Sequence, residues 1–318
     1  MGSEVEAFEE EWARYCGAEY CTGVSSGTDA LYLALMSLGL PLLGNVLTTP
    51  FSFFATVQAI LQAGLYPKFM DVDEDSGNIK PWDYQEPEGL LAMVPVHLYG
   101  KPAAKFSGAG PVIEDAAQAH GIKLTGQAAC FSFYPTKNLG AIGQAGAMVT
   151  NSKGLADKVR ELRTYGERER FVHHALTGNH RMDELQAAVL RVKLPYLDKW
   201  NRRRRKLALL YREMLGDVEG IRFQTHGDDH VYHIFAIRCK ERDLLKVCLE
   251  GQGIQTSVRY PVPMHLQPAL RYIGYKEGDF PNAEAWAKEN LSLPMYPELE
   301  SSQVEYVCSK IKKWVEER

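Results

Sequence analysis

Three groups in this chain could together perform amine chemistry, and Lys137 is the first of them. It sits in the run Phe131-Ser132-Phe133-Tyr134-Pro135-Thr136-Lys137-Asn138-Leu139-Gly140. Upstream, Asp115 follows the apolar run Pro111-Val112-Ile113-Glu114, and further upstream Ser25-Ser26-Gly27-Thr28-Asp29-Ala30-Leu31 opens an amphipathic segment. A lysine nucleophile, a carboxylate at a strand end and a helix-opening anion site are what pyridoxal phosphate requires. The amine forms a Schiff base, the acid keeps the pyridine nitrogen protonated, and helix N–H groups take the phosphate.

Each signal also has a plainer reading. Gly27-Thr28-Asp29 suits an anion cradle, but taken alone it is more often an ordinary N-cap by Thr28 or Asp29. Asp115 stands where ligands of open α/β sheets collect, or else it caps a following helix. Lys137 must lose its proton to attack a carbonyl and so suits a half-buried loop, whereas the usual fate of lysine is a solvated one. Phe53, in Thr49-Pro50-Phe51-Ser52-Phe53-Phe54, could stack on a flat ring, but an isolated aromatic is more often core. The ordered set carries the argument.

The elements that must position these residues can be read from periodicity. Val5, Phe8, Trp12 and Tyr15 predict an amphipathic helix over residues 4–15. Strands are expected over 21–24, 46–49, 67–72, 91–96, 112–114 and 129–133, with helices over 28–38 and 55–62 between the first of them. Apolar strands alternating with helices predict an α/β fold, a mostly parallel sheet covered on both faces. The connection from Lys101 to Gly110 is too short for a crossover helix, which leaves the strand pairing there open. After Thr150 the chain becomes charged and helical over 151–165 and 182–215. Beyond Val231, strands (233–239, 254–258) mix with helices (242–250, 283–290, 302–316). This organisation is expected to divide into an N-terminal helix (1–20), a large cofactor-binding domain (21–200) and a smaller C-terminal α+β domain (201–318).

Composition narrows the classes. The 318 residues are 45% hydrophobic and 24% charged, with a net charge of −4, so no basic field points to nucleic acid or acidic lipid. The run Trp200-Asn201-Arg202-Arg203-Arg204-Arg205-Lys206 reads as a solvated helix face. Six scattered cysteines without C-x-x-C spacing read as reduced, packed thiols. No apolar stretch reaches the roughly 18 residues of a membrane span, and a cytoplasmic location is expected. There is no G-x-x-x-x-G-K-[ST], and Gly140, Gly143 and Gly146 miss the dinucleotide spacing. Asp71-Val72-Asp73-Glu74-Asp75 approaches a calcium loop, but Ser76 and Trp82 occupy its sixth and twelfth positions, so an acidic turn is expected. His173-His174 and His180 lie in an expected loop without metal-ligand spacing, and no metal is expected.

With these residues placed, the chain resembles the DegT/DnrJ/StrS family of sugar aminotransferases, pyridoxal-phosphate enzymes of fold type I. The likeness runs over nearly the whole length. It includes Ser26 to Leu31, Thr49 to Phe53, Pro95-Val96-His97-Leu98-Tyr99-Gly100 and Glu114-Asp115-Ala116-Ala117-Gln118-Ala119-His120-Gly121. It continues through Phe131 to Gly140, Asn179-His180-Arg181-Met182-Asp183-Glu184-Leu185-Gln186, Tyr260-Pro261-Val262-Pro263-Met264-His265 and Leu293-Pro294.

The resemblance implies roles. Lys137 would carry the cofactor and shuttle the proton, Asp115 would pair with the ring nitrogen, Phe53 would stack on the ring, and Gln118 would lie near its hydroxyl. Gly27, Thr28, Asp29 and Ser132 would hold the phosphate, with Asn179 reaching it from a partner subunit. Arg181 is a candidate for the amino donor's carboxylate, and Tyr260 and His265 for the sugar-nucleotide side. The implied protein is a homodimer with shared active sites. It would move an amino group from glutamate or glutamine to a keto-sugar nucleotide in polysaccharide, lipopolysaccharide or secondary-metabolite sugar synthesis. The alternative is a non-catalytic regulator or sensor that binds pyridoxal phosphate on the same fold.

Several features depart from the family pattern. A further N-terminal segment is expected and is absent from this sequence, and the stretches from Gly100 to Pro111 and from Gly121 to Cys130 are short. Gln144-Ala145 stands where Asp-Gly is common. These differences bear on the substrate side more than on the cofactor.

Overall fold

The computed structural model describes residues 2–80, 89–106 and 110–318; Trp82 of the calcium-like stretch lies outside them. The chain opens with helix α1 (Ser3–Cys16), strand β1 (Tyr20–Val24), α2 (Gly27–Ser37), β2 (Asn45–Thr48), α3 (Ala55–Gln62), β3 (Tyr66–Phe69) and β4 (Leu90–Val94). Next come β5 (Ile113–Asp115), β6 (Ala128–Ser132), β7 (Gly146–Thr150), α4 (Lys153–Leu162), β8 (Glu167–Glu169) and β9 (Val172–His173). The rest is α5 (Glu184–Lys193), α6 (Leu197–Leu215), β10 (Arg222–Phe223), β11 (Phe235–Arg238), α7 (Arg242–Gly251), α8 (Pro281–Glu289), β12 (Asn290–Leu293) and α9 (Ser301–Glu316).

Two sheet fragments, β1-β7-β6-β5 and β3-β2-β4, are joined where Met93 pairs with Val112 and Val96 with Asp115 in parallel. The Asp115 N–H donates to Pro95 O at 2.9 Å and the His97 N–H to Asp115 O at 3.0 Å, so the short connection from residue 101 leads to a neighbouring strand. The continuous order is β1-β7-β6-β5-β4-β2-β3, parallel except for β7, which runs against both its neighbours. This is the mostly parallel α/β sheet that the strand–helix alternation predicts.

Side-chain alternation sets the two faces. Ala128 and Cys130 of β6 and Met148 of β7 pack with α2, in a cluster with Leu31, Leu33 and Leu35. Ala129 and Phe131 of β6 and Ala147 and Val149 of β7 face the other way, onto Val5, Phe8 and Trp12 of α1. Trp12 is fully buried and meets Phe131 and Phe133 edge-on, at ring-centroid distances of 5.0 and 5.1 Å. Trp12→Ala is expected to cost about 3–5 kcal/mol of stability, measurable as a lowered midpoint in urea unfolding.

Beyond Thr150 the structure departs from the expectations in several places. The strand expected over 254–258 reduces to one pairing, Ser257 with Ser292, and the backbone beyond it turns towards the β-strand ends of the main sheet. The helix expected through Asn290 ends at Glu289. Asn290 is buried and ties down two segments: Nδ2 donates to Trp286 O at 2.6 Å, and Oδ1 accepts the Arg259 N–H at 2.8 Å. Asn290 thereby begins β12, which pairs with β11; that strand was not expected, nor were β10 or the β8–β9 hairpin around His173. Finally, Arg204 is not solvated. Helical spacing puts it on the same face as Asn201, Leu207 and Ala208, and its guanidinium donates to the carbonyls of Tyr232, His233 and Met295 at 3.0–3.3 Å.

All six cysteines are free, and five are buried. Asp71 of the acidic turn accepts the Asn282 and Ala283 N–H groups at 3.0 Å and so holds the start of α8. Among the described residues, no group of three or more His, Cys, Asp or Glu side chains is placed to hold a metal. No helix among them is long and apolar enough to cross a membrane.

Candidate active site

The strand ends of the main sheet open into a cleft of about 680 Å³ whose lining includes Gly27, Phe53, Asp115, Lys137, Arg259 and Tyr260. Residues from opposite ends of the sequence meet here because parallel strands deliver their carboxyl ends to one edge.

Asp115 is the last residue of β5 and shares the parity of Ile113, which faces α2. It is buried, and its carboxylate accepts from Thr56 Oγ1 on α3 at 2.7 Å and from the Ala117 N–H at 3.1 Å. No helix follows it, so the expected choice between ligand site and helix cap resolves into a tight turn aimed at the cleft. Burial pushes the acid upward; the bonds from Thr56 and Ala117 and the nearby Lys137 charge pull it back. Thr56→Val keeps the shape and removes one of those bonds. The acid limb of any Asp115-dependent activity should then move to higher pH, visible in a kcat profile.

Lys137 sits in a turn built by its own main chain. Its N–H donates to Tyr134 O at 2.8 Å, the Ala141 N–H donates to Phe133 O at 2.8 Å, and the Leu139 N–H donates to His120 Nδ1 at 2.9 Å. Next to it, Asn138 is drawn inward: Nδ2 donates to Asn201 Oδ1 and Val231 O, and Oδ1 accepts from His233 Nδ1 at 3.2 Å. The amine is half-buried rather than solvated. Burial brings its pKa down to about 8, against the opposing pull of Asp115 and with a further push from Arg259. His120 was not singled out, although the sequence displays it. It is buried among Trp12, Phe131 and Phe133, which together with the Lys137 charge depresses its pKa to about 3. It is a neutral acceptor that fixes the Lys137 turn.

The start of α2 and the end of β6 form one side of the cleft. The N-cap is Ser26, not Thr28 or Asp29; its Oγ accepts the Asp29 N–H at 3.1 Å. Among the described residues nothing accepts the Gly27 and Thr28 N–H groups, and both residues line the cleft. Ser132 has the parity of Ala128 and Cys130, so it faces Gly27: a Cβ on Gly27 would fall 2.6 Å from Ser132 Cβ. Asp29 does not line the cleft. Its carboxylate takes bonds from Ser25 and Ser26 Oγ at 2.5 and 2.8 Å and faces His180 Nδ1 at 3.0 Å, so it braces the helix start and has no free donor for an anion.

Phe53 is 58% exposed, which overturns core packing as its role. It lies tilted against Tyr260 at 5.9 Å. Gln118 is clamped, accepting the Tyr99 N–H at 2.8 Å and donating to Tyr260 Oη at 2.9 Å. His265 is elsewhere: it is buried against Phe280, with Nε2 3.1 Å from Glu284 Oε1, so its ring serves packing and does not line the cleft. Asn179 and Arg181 are exposed outside the cleft of their own chain, with Arg181 Nε donating to Asn179 Oδ1 at 2.9 Å. His233, Gln144 and Arg259, none singled out as site residues, also line the cleft.

The arrangement pairs a half-buried amine with a buried acid and a helix start whose first two N–H groups are free. The sequence profile of the DegT/DnrJ/EryC1/StrS aminotransferase family matches residues 1–312, and the chain belongs to that family. It is 44% identical to the "Pleiotropic regulatory protein" of Geobacillus stearothermophilus, covering 99% of this chain and 90% of that one. It is 40% identical to the dTDP-3-amino-3,4,6-trideoxy-alpha-D-glucose transaminase of Streptomyces venezuelae, covering 99% and 88%. The crystal structure of S. venezuelae DesV in complex with a ketimine intermediate superposes with a TM-score of 0.94, at 39% identity, covering 99% and 90%.

Proposed function

We propose that this protein is a pyridoxal-phosphate-dependent aminotransferase that moves an amino group from glutamate or glutamine to a nucleotide-linked keto-sugar. The observation that carries this is the convergence of Lys137 and Asp115 on one cleft beside the free N–H groups of α2. The residues present fit the cofactor. The missing side chain of Gly27 lets the start of α2 pack directly on Ser132, so two free N–H groups and a hydroxyl residue share one side of the cleft; Phe53 offers an exposed ring face, and Asp115 is the lone carboxylate lining the cleft among the described residues.

When bound, pyridoxal phosphate supplies an aldehyde that condenses with amines and a ring that takes up carbanion charge. The chain supplies the rest. With a pKa of about 8, roughly a tenth of the Lys137 amine is neutral at pH 7, enough to attack and later to accept the donor's α-proton at Nζ. Asp115, steadied by Thr56 and Ala117, keeps a proton on the pyridine nitrogen. Gly27, Thr28 and Ser132 would hold the phosphate, and Phe53 would stack on the ring. Gln118, which accepts the Tyr99 N–H and donates to Tyr260 Oη, would lie near the ring hydroxyl, with Tyr260 on the sugar side.

Asn179 enters this reading through a second copy of the chain. Phe171, Val172 and Leu176, exposed just before it, suit burial in a homodimer that brings Asn179 to the neighbouring phosphate.

A regulator that merely binds the cofactor could hold it with the same amine and acid. The two readings separate in one experiment. Glutamate or glutamine added to the coloured holoprotein should bleach the visible band and yield the matching oxo-acid. Colour that persists with both donors would leave the sensor reading in place. Keto-sugar nucleotides tested on the bleached form then identify the acceptor.

A further inference from the structure

We propose that Arg259 is the anion anchor of the cleft, holding a carboxylate or phosphate of a co-substrate so that its reacting carbon is presented to Lys137. This rests on the aminotransferase reading and adds a residue that sets which substrates are held.

The backbone of Arg259 is pinned on both sides. Its N–H donates to Asn290 Oδ1 at 2.8 Å and its carbonyl accepts from Tyr99 Oη, while two residues earlier Ser257 pairs with Ser292. The side chain, by contrast, is exposed and lines the cleft. Its one bond is from Nε to Ser257 Oγ at 3.2 Å. Among the described residues, nothing accepts from either terminal nitrogen and no carboxylate lies within ion-pair distance.

Most of the chain's buried arginines are committed. Arg204 is spent on carbonyls and Arg238 on Glu289 and the Glu74 carbonyl, and Arg181 is bonded to Asn179 outside the cleft. Arg259 alone among the arginines of the described residues lines this cleft. A planar fork held on a rigid backbone with both outer nitrogens free is suited to bidentate recognition of carboxylate or phosphate. Its charge is felt at Lys137, Tyr260 and His233, which places it close to the reacting amine.

Two substrates carry such a group: the amino donor, whose carboxylate is attached to the reacting carbon, and the sugar nucleotide, whose diphosphate lies beyond the sugar ring. Proximity to Lys137 favours the donor, and the two can be tested apart.

The experiment uses the holoprotein and its Arg259→Gln and Arg259→Lys variants. Calorimetry measures the binding of 2-oxoglutarate in one arm and of dTDP and UDP in the other. Rapid mixing with glutamate or glutamine, whichever bleaches the wild type, gives the donor half-reaction. A charged bidentate contact corresponds to about a 10- to 100-fold weakening in Arg259→Gln. Partial recovery is expected in Arg259→Lys, which keeps the positive charge felt at Lys137.

Weakening confined to 2-oxoglutarate and the donor identifies a carboxylate anchor, and weakening confined to dTDP or UDP a phosphate anchor. Affinities within twofold of wild type in both arms would overturn the proposal. A wild type that converts neither glutamate nor glutamine would instead remove the aminotransferase reading, and the anchor with it.

Discussion

Lys137→Ala should abolish turnover, with a loss on the order of 10,000-fold, because one amine serves as both nucleophile and proton carrier. The fold should survive. The turn is held by main-chain bonds to Tyr134 O and His120 Nδ1, and no packed core side chain is removed. Far-ultraviolet dichroism and the thermal midpoint should therefore stay near wild type. The visible band of covalently held cofactor should be missing after gel filtration of the mixed protein. A variant that stays coloured and turns over at the wild-type rate would mean that another amine does this chemistry.

Asp115→Asn should lower turnover by about 100- to 1,000-fold, the size of effect expected when an electrostatic partner is removed from a dry site. The amide is isosteric and can still accept the Ala117 N–H, so cofactor should still bind. A second consequence has a definite sign. The Asp115 charge raises the Lys137 pKa against the downward pull of burial. Without that charge, the amine should deprotonate below about 8, and the rate of cofactor recombination should reach its plateau at lower pH than in wild type. Turnover within twofold of wild type together with an unmoved recombination profile would exclude Asp115 as the ring's partner.

Much of this site was legible because its components are local. Asp115 ends an apolar run, Gly27 separates a strand from a helix, and Lys137 follows a strand and a proline, so each could be placed on its element by periodicity. Roles set by neighbours distant in sequence were not legible. Phe53 reads as core from its flanks, yet it is exposed because Phe51, and not Phe53, takes the buried position against Trp286. Arg204 reads as solvated within a basic run, yet helix phase turns it inward onto three carbonyls. His265 lies in a site-like run with Tyr260 but is drawn away by Glu284 and Phe280.

The order of strands and helices through β6, the amine, the acid and the open helix start are properties of short segments, which carry their own hydrophobic period and turn residues, and the sequence alone determined them. The tertiary structure decided which of those segments share a cleft. Bringing Arg259 and Tyr260 to Lys137 depends on Asn290, Tyr99 and Gln118, residues from three separate segments whose hydrogen bonds form only when the chain is folded. Burial does the same for charge: the Lys137 amine is depressed by surroundings that no stretch of its own neighbours contains.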